Sequence, residues 1–150
     1  MLYNSPRTLA IFFVIFIIPL TISCGKGETE KTQSLVCNNF KFEFPQVNSE
    51  LSGKITAKGT HNCVLSDHIW IVLHDGYGYY LQSPEVSLFN NGTWEHDAIS
   101  LGGGIKSIQA ILVNEAGHEI FSKRVQKHDF GQLDMLPTGY IKLASIPIRN

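Results

Sequence analysis

The sequence predicts a mainly β protein, and the patterns of its side chains and turns support this. Aromatic and charged residues alternate across 40–44, which is the period of a strand with one buried face. The run 68–74 is apolar at every inner position, as expected for a central strand that is covered on both faces. Turn-forming residues such as Asn91 and Gly92 separate the short runs. About seven or eight short strands of this kind predict a two-sheet, immunoglobulin-like β-sandwich.

Each predicted strand is an alternating or β-branched run that Gly, Asn, Asp or Pro brings to an end. Pro147 places the last run at a sheet edge or at a strand end, because proline cannot donate a ladder hydrogen bond. The runs cover residues 40–44, 51–57, 68–74, 77–81, 93–101, 105–113 and 140–148.

Residues 115–128 have a different period and predict one short helix before the last strand. Their apolar side chains fit a helical stripe better than a period of two. The stripe consists of Ala116, Ile120, Phe121 and Val125.

Residues 1–23 have the three parts of a secretory signal peptide. Arg7 supplies a positive charge, residues 9–18 are uninterruptedly apolar, and a short segment then leads to Cys24. The alternative is a retained membrane span, since no charged residue lies between Arg7 and Lys26. Pro19 would break the last turn of such a helix, so the sequence favours cleavage.

The residues around the cleavage point resemble the end of a bacterial lipoprotein signal. Ile22 and Ser23 precede Cys24 as in that signal, although Thr21 stands where an aliphatic residue is usual. The resemblance implies that Cys24 receives a lipid and becomes the mature N-terminus, which would hold the protein on a membrane. Gly25 follows the cysteine, and by resemblance to Gram-negative lipoproteins the absence of Asp there implies the outer membrane.

The rest of the chain divides into a tether and one domain. Residues 25–34 contain charged and small polar side chains and no large apolar group. They cannot build a core, so residues 24–35 are predicted to be a lipidated cysteine with a flexible tether. Residues 36–150 are then one β-sandwich domain, long enough to bury a single modest core.

The chain has three cysteines, an odd number that needs an explanation in an exported protein. If Cys24 carries lipid, Cys37 and Cys63 remain as a pair that an oxidising compartment would join. The sequence therefore predicts a Cys37–Cys63 disulfide, with two unpaired buried thiols as the alternative. Neither cysteine has a second one at the short spacing of zinc motifs.

Charge and motifs exclude several classes of function. The formal net charge of −1 argues against a nucleic-acid partner, which would require a basic face. No metal site is predicted from the six histidines, because His68 and His74 lie too far apart along one strand to share an ion. No cofactor motif and no nucleophile motif is recognised, so no catalytic residue is assigned. A small envelope hydrolase remains an alternative if Asp75 converges with His74 or His96 in one pocket.

The aromatic residues supply the candidate ligand surface. An exposed platform beside the Asp75 turn could bind a peptide or a sugar. Core packing is the favoured alternative, and at least one of Trp70 and Trp94 is expected in the core. The candidate surface consists of Tyr77, Tyr79, Tyr80 and Trp94.

Five short motifs lie across 47–150: a glycine strand at Gly53, a tryptophan strand at Trp70, a tyrosine strand that ends in Gln82 and Pro84, the turn at Gly92 to Trp94, and a turn at Leu136 and Pro137 before a strand that ends at Arg149. These motifs resemble those of small β-sandwich modules attached to membrane anchors or signalling domains in bacteria. The resemblance implies a crossover helix before the last strand and transfers no catalytic residue. The predicted function is a non-enzymatic binding or structural module of the cell envelope, with an envelope protein or a glycan as its partner.

Overall fold

A computed structural model describes residues 37–149. The predictions for the signal peptide (1–23), for lipidation of Cys24 and for the tether (24–35) lie outside these residues. In chain order the elements are β1 (Lys41–Phe44), β2 (Gly53–Thr60), β3 (His68–His74), β4 (Tyr79–Leu81), β5 (Ser87–Leu88), β6 (Thr93–Leu101), β7 (Ser107–Val113), α1 (Glu115–Gln126) and β8 (Ile141–Pro147).

The strands form two four-stranded antiparallel sheets, which confirms the predicted mainly β fold. The first sheet has the order β1-β2-β6-β5 and the second has the order β4-β3-β7-β8. This arrangement is compatible with an immunoglobulin-like sandwich, whose two sheets have the strand orders ABED and CFG. Strand β3 corresponds to strand C, and β4 is the one strand added beside it. Pro147 ends β8 at an edge of the second sheet, as the sequence predicts.

The main core lies between the two sheets. Alternate residues of β3 and β7 face inward, because successive strand side chains point to opposite faces. Trp94 and Ile99 of β6 meet them from the other sheet. The buried residues that β3 and β7 contribute are Ile69, Ile71, Leu73, Ile108, Ala110 and Leu112.

A second core covers the outer face of β3 and β7. Trp70 and Ile111 lie on this face and pack with Phe121 of α1 and Leu136 of the segment that follows it. The ring centres of Trp70 and Phe121 are 5.5 Å apart, with the rings edge to face. Because both faces of β3 are covered, the strand is apolar at every inner position, which confirms the prediction for 68–74.

The predicted helix is present, but fewer residues of its predicted apolar stripe are buried than the sequence indicates. Phe121 is fully buried, whereas Ile120 is 49% exposed and Ala116 is also exposed. Gly117, one turn before Phe121, is the other buried helical residue. Ile120 lies about 100° around the helix from Phe121, away from the sheet. The sequence period therefore identified the helix but assigned Ile120 to the wrong face.

The connection through α1 joins two adjacent antiparallel strands. Asn114 caps the helix by accepting a hydrogen bond from the Gly117 amide. The chain then returns across the outer face, so that β8 pairs with β7. No helix within residues 37–149 has the length and apolar character that spanning a membrane requires.

Candidate functional site

The predicted disulfide is present and lies at the edge of the main core. Cys37 and Cys63 are bonded to each other, and their Cα atoms are 4.2 Å apart. Both residues are buried and pack in the cluster that contains Phe40 and Trp94. The bond therefore ties the segment before β1 to the loop after β2.

The turn after β3 is organised by Asp75. Its Oδ1 accepts hydrogen bonds from the backbone amides of Tyr77 at 2.8 Å and Gly78 at 2.9 Å. Its Oδ2 accepts from the Tyr80 hydroxyl at 3.0 Å. These donors hold the pKa of Asp75 below its usual value, and the Tyr77 amide contributes the largest part of the effect. The carboxylate therefore remains charged while it fixes the turn and the tyrosine.

Tyr80 links this turn to the segment that follows α1. Its hydroxyl lies 3.2 Å from the side-chain oxygen of Gln132. The hydrogen bond to Asp75 raises the pKa of Tyr80, because ionisation would place two negative charges side by side. The backbone of Tyr79 pairs with that of Leu133 through two hydrogen bonds of 2.9 and 2.8 Å. The phenol is thus neutral and fixed in position.

Beside Tyr80 lies an open pocket of about 380 Å³, which we call the Asp75 pocket. Tyr77 follows the same turn; its side chain is 86% exposed, and the Lys106 ammonium lies 5.7 Å from its ring centre. Aromatic faces, a carboxylate, an amide and a hydroxyl therefore lie together in one region. The lining residues are Leu73, Asp75, Tyr80, Leu81, Gln82, Ser100, Gly102, Gly103, Ile105 and Phe130.

Trp94 does not belong to this surface, which corrects one member of the candidate set. Its side chain is 1% exposed, and it stacks on Phe40 with a ring-centre distance of 4.5 Å. Trp70 is also buried, so both tryptophans are core residues. Trp94 lies on the inward-facing side of β6, where a large aromatic ring fills the space between the sheets.

The two histidines considered as acid–base partners of Asp75 lie outside the Asp75 pocket. Neither His74 nor His96 lines it. The ring of His74 packs against Tyr79, with a centre-to-centre distance of 4.8 Å. His96 lies within the interior at 1% exposure, and burial lowers its pKa because the charged imidazolium is disfavoured there.

A second cluster of polar side chains was missed by the sequence analysis. The Glu85 carboxylate lies between His68 and His118, with Oε1 2.9 Å from Nδ1 of His68 and Oε2 3.5 Å from Nδ1 of His118. One possible metal-ligand atom from each of these three residues lies within 4.8 Å of the other two. Glu115 is beside them, with Oε2 3.2 Å from Nε2 of His68. We call His68, Glu85 and His118 the His–Glu–His cluster.

The fold brings this cluster together from three elements. The segment after β4 stays beside β3, because Gln82 and Val86 donate backbone hydrogen bonds to the carbonyls of Ile71 and Ile69. This places Glu85 next to His68 at the start of β3. His68 also pairs with Val113 at the end of β7, from which α1 begins. The first turn of α1 then carries His118 over the same corner.

No protein-family model matches the sequence, and no curated protein or solved structure matches it either.

Proposed function

We propose that the protein is a lipid-anchored, non-enzymatic binding module of the bacterial cell envelope, held in the outer membrane through Cys24. The observation that carries this proposal is the Cys37–Cys63 disulfide. A structural disulfide is typical of an oxidising compartment outside the cytoplasm. It also uses two of the three cysteines and leaves Cys24, at the end of the lipoprotein-like signal, as the odd one.

The surface proposed for binding is the Asp75 pocket together with Tyr77. Exposed aromatic rings offer stacking area, and Tyr77 is the most exposed of the three tyrosines around the turn. Asp75 and Tyr80 are already held in place by hydrogen bonds, so they lose little conformational freedom when a ligand binds. Rings and polar groups at one pocket suit a hydroxyl-rich ligand such as an envelope glycan.

The anchoring part of the proposal is tested by the intact mass of the protein from the membranes of its own host, with and without a reductant. We expect a chain that begins at Cys24, carries added acyl mass and gains about two daltons on reduction of the Cys37–Cys63 bond. An unmodified mass from Met1 to Asn150 would contradict lipidation and would favour the retained membrane span.

The binding part is tested by calorimetric titration with soluble peptidoglycan fragments. We expect Tyr77→Ala to weaken binding about fivefold, since stacking on one ring contributes on the order of 1 kcal/mol. Tyr140→Ala is the matched control, because Tyr140 is also exposed but lies just before β8, away from the Asp75 turn in the chain. Equal affinities for the two variants would contradict this surface, and no binding by the wild type would leave a protein partner as the alternative.

A further inference from the structure

We propose that the His–Glu–His cluster is a binding site for one divalent transition-metal ion, with Zn²⁺ as the preferred ion. His68 and His118 supply imidazole nitrogens, and Glu85 supplies a carboxylate oxygen. Two histidines and one glutamate are a ligand set that zinc uses in proteins, with a fourth position left for water or another side chain. This inference is independent of how the chain is anchored and of what the Asp75 pocket binds.

The spacing of the ligand atoms is suitable for such an ion. Bonds of about 2.0–2.2 Å in a tetrahedral arrangement separate neighbouring ligand atoms by about 3.3–3.5 Å. Oε1 of Glu85 lies 2.9 Å from Nδ1 of His68, below that range, and Oε2 of Glu85 lies 3.5 Å from Nδ1 of His118, at its upper limit. The three side chains therefore lie close enough together to share one ion once the two imidazole rings turn.

In both histidines the ring nitrogen that faces away from Glu85 lies near another polar side chain, which we call its outer partner. Nε2 of His68 lies 3.2 Å from Glu115, and Nε2 of His118 lies 3.3 Å from the Ser122 hydroxyl. Metal-binding histidines commonly donate their other ring N–H to a carboxylate or a similar acceptor, which leaves the facing nitrogen free to bind the ion. In this cluster the outer partners orient both Nδ1 atoms toward the same carboxylate.

The Nδ1 atom of His118 gives an independent indication. It is buried and makes no hydrogen bond within residues 37–149, although it lies 3.5 Å from Oε2 of Glu85. A buried polar atom without a hydrogen bond is costly, and native structures usually provide a partner for it. A metal ion beside Glu85 would provide that partner.

Charge and access also favour a cation. The carboxylates of Glu85 and Glu115 carry two negative charges, which balance a divalent ion. His68, Glu85 and His118 have side-chain exposures of 28%, 29% and 25%, so an ion can reach them from solvent. The two imidazole rings are stacked, with centres 3.7 Å apart and an angle of 20° between their planes. Because nitrogen lone pairs lie in the ring plane, binding an ion requires these rings to turn away from stacking.

The test uses the untagged full-length chain in detergent, dialysed against EDTA, with any free thiol alkylated. Calorimetric titration with Zn²⁺ alone is expected to give one bound ion with a micromolar or lower dissociation constant. His118→Ala and Glu85→Gln are each expected to weaken binding about 100-fold, and Ser122→Ala about tenfold through loss of the outer partner. His128→Asn is the matched control, because His128 is exposed and asparagine tolerates its left-handed backbone.

Cobalt binding to the wild type gives a second measurement, which does not depend on whether the variants that lose a ligand still fold. Co²⁺ added to the metal-free wild type is expected to produce the visible absorption bands of a tetrahedral site, and Zn²⁺ is expected to abolish them. Ser122→Ala keeps all three ligands and should retain these bands at a higher Co²⁺ concentration. The proposal is overturned if the wild type binds Zn²⁺ no more tightly than Glu85→Gln, or if His128→Asn weakens binding as much as His118→Ala.

Discussion

The indole nitrogen of Trp94 donates a hydrogen bond to the backbone carbonyl of Lys41 at 2.9 Å, across the full width of strand β2. Trp94 lies on β6 and Lys41 on β1, and the two strands are neighbours of β2 on opposite sides. Gly59 pairs with Trp94 on the intervening strand. The absence of a side chain at Gly59 is what gives the indole room to reach β1.

Gly59→Ala is therefore expected to be strongly destabilising. An added Cβ would collide with the Lys41 carbonyl and would lie 2.8 Å from the indole nitrogen of Trp94. Because the obstruction is partly backbone, we expect a loss of about 3 kcal/mol in the free energy of unfolding. Urea denaturation measures this loss. Gly102→Ala is the control, since a Cβ there has no neighbour within 4 Å, and an equal loss in both variants would contradict the explanation.

Removing the disulfide is expected to lower the free energy of unfolding by about 3 kcal/mol, because Cys37 and Cys63 close a long loop in the unfolded chain. The measurement is urea denaturation of the Cys37→Ala/Cys63→Ala double variant. Reductant should destabilise the wild type to a similar extent and leave the double variant unchanged. A wild type whose stability does not respond to reductant would contradict a stabilising role for the bond.

Helix α1 is expected to depend on Phe121 and very little on its neighbour Ile120. Phe121 is fully buried against Trp70, so Phe121→Ala should cost about 3–5 kcal/mol of unfolding free energy. Ile120 is exposed on the other side of the helix, and Ile120→Ala should cost about 0.5 kcal/mol or less. Thermal denaturation of the two variants compares them directly. Similar losses would mean that Ile120 and Phe121 are both buried, as the sequence period predicts, and would contradict the observed helix face.

His96 is expected to make stability fall in mild acid. Burial lowers the pKa of His96 in the folded state below the usual 6.5. Below that pH the unfolded chain therefore binds a proton at His96 more readily than the folded chain does. The free energy of unfolding should therefore decrease as the pH drops below 6.5. His96→Leu removes the group that binds this proton. It also removes two buried ring nitrogens that make no hydrogen bond within residues 37–149.

The His96→Leu variant should be about 1 kcal/mol more stable than the wild type at pH 7.5, with a larger difference at pH 5. Urea denaturation at both pH values measures the two differences. His128→Asn controls for the loss of an exposed histidine; it keeps His96, so its free energy of unfolding should fall in mild acid as that of the wild type does. A difference that stays constant between the two pH values would contradict the role assigned to His96.

Much of the fold could be predicted from the sequence, because strands and turns leave local patterns. The central strand β3 was predicted with its observed bounds, 68–74, and β6 with its bounds, 93–101. The turn at Asn91 and Gly92 lies between β5 and β6 as expected, and Gly92 has a positive φ of 79°. Strand β5 was missed, since two residues are too few to show an alternating pattern.

Less of the candidate site could be predicted. Tyr77 proved to be exposed and Trp94 buried, although both were placed in the same aromatic set. Sequence identifies large aromatic residues but does not say which face of a strand packs on the other sheet. The His–Glu–His cluster left no signal at all, because its members lie on β3, on the loop after β4 and on α1.

The local features of residues 37–149 follow from the sequence alone: the strand period, the turns, the helix before the last strand and the cysteines available for a disulfide. These depend on side-chain alternation and backbone preference within a few residues. The burial of Phe121 beside an exposed Ile120, and the position of Glu85 between His68 and His118, depend instead on how the elements pack. Such contacts depend on sheet pairing and on the path of α1 across the outer face, which join residues that are far apart in the chain.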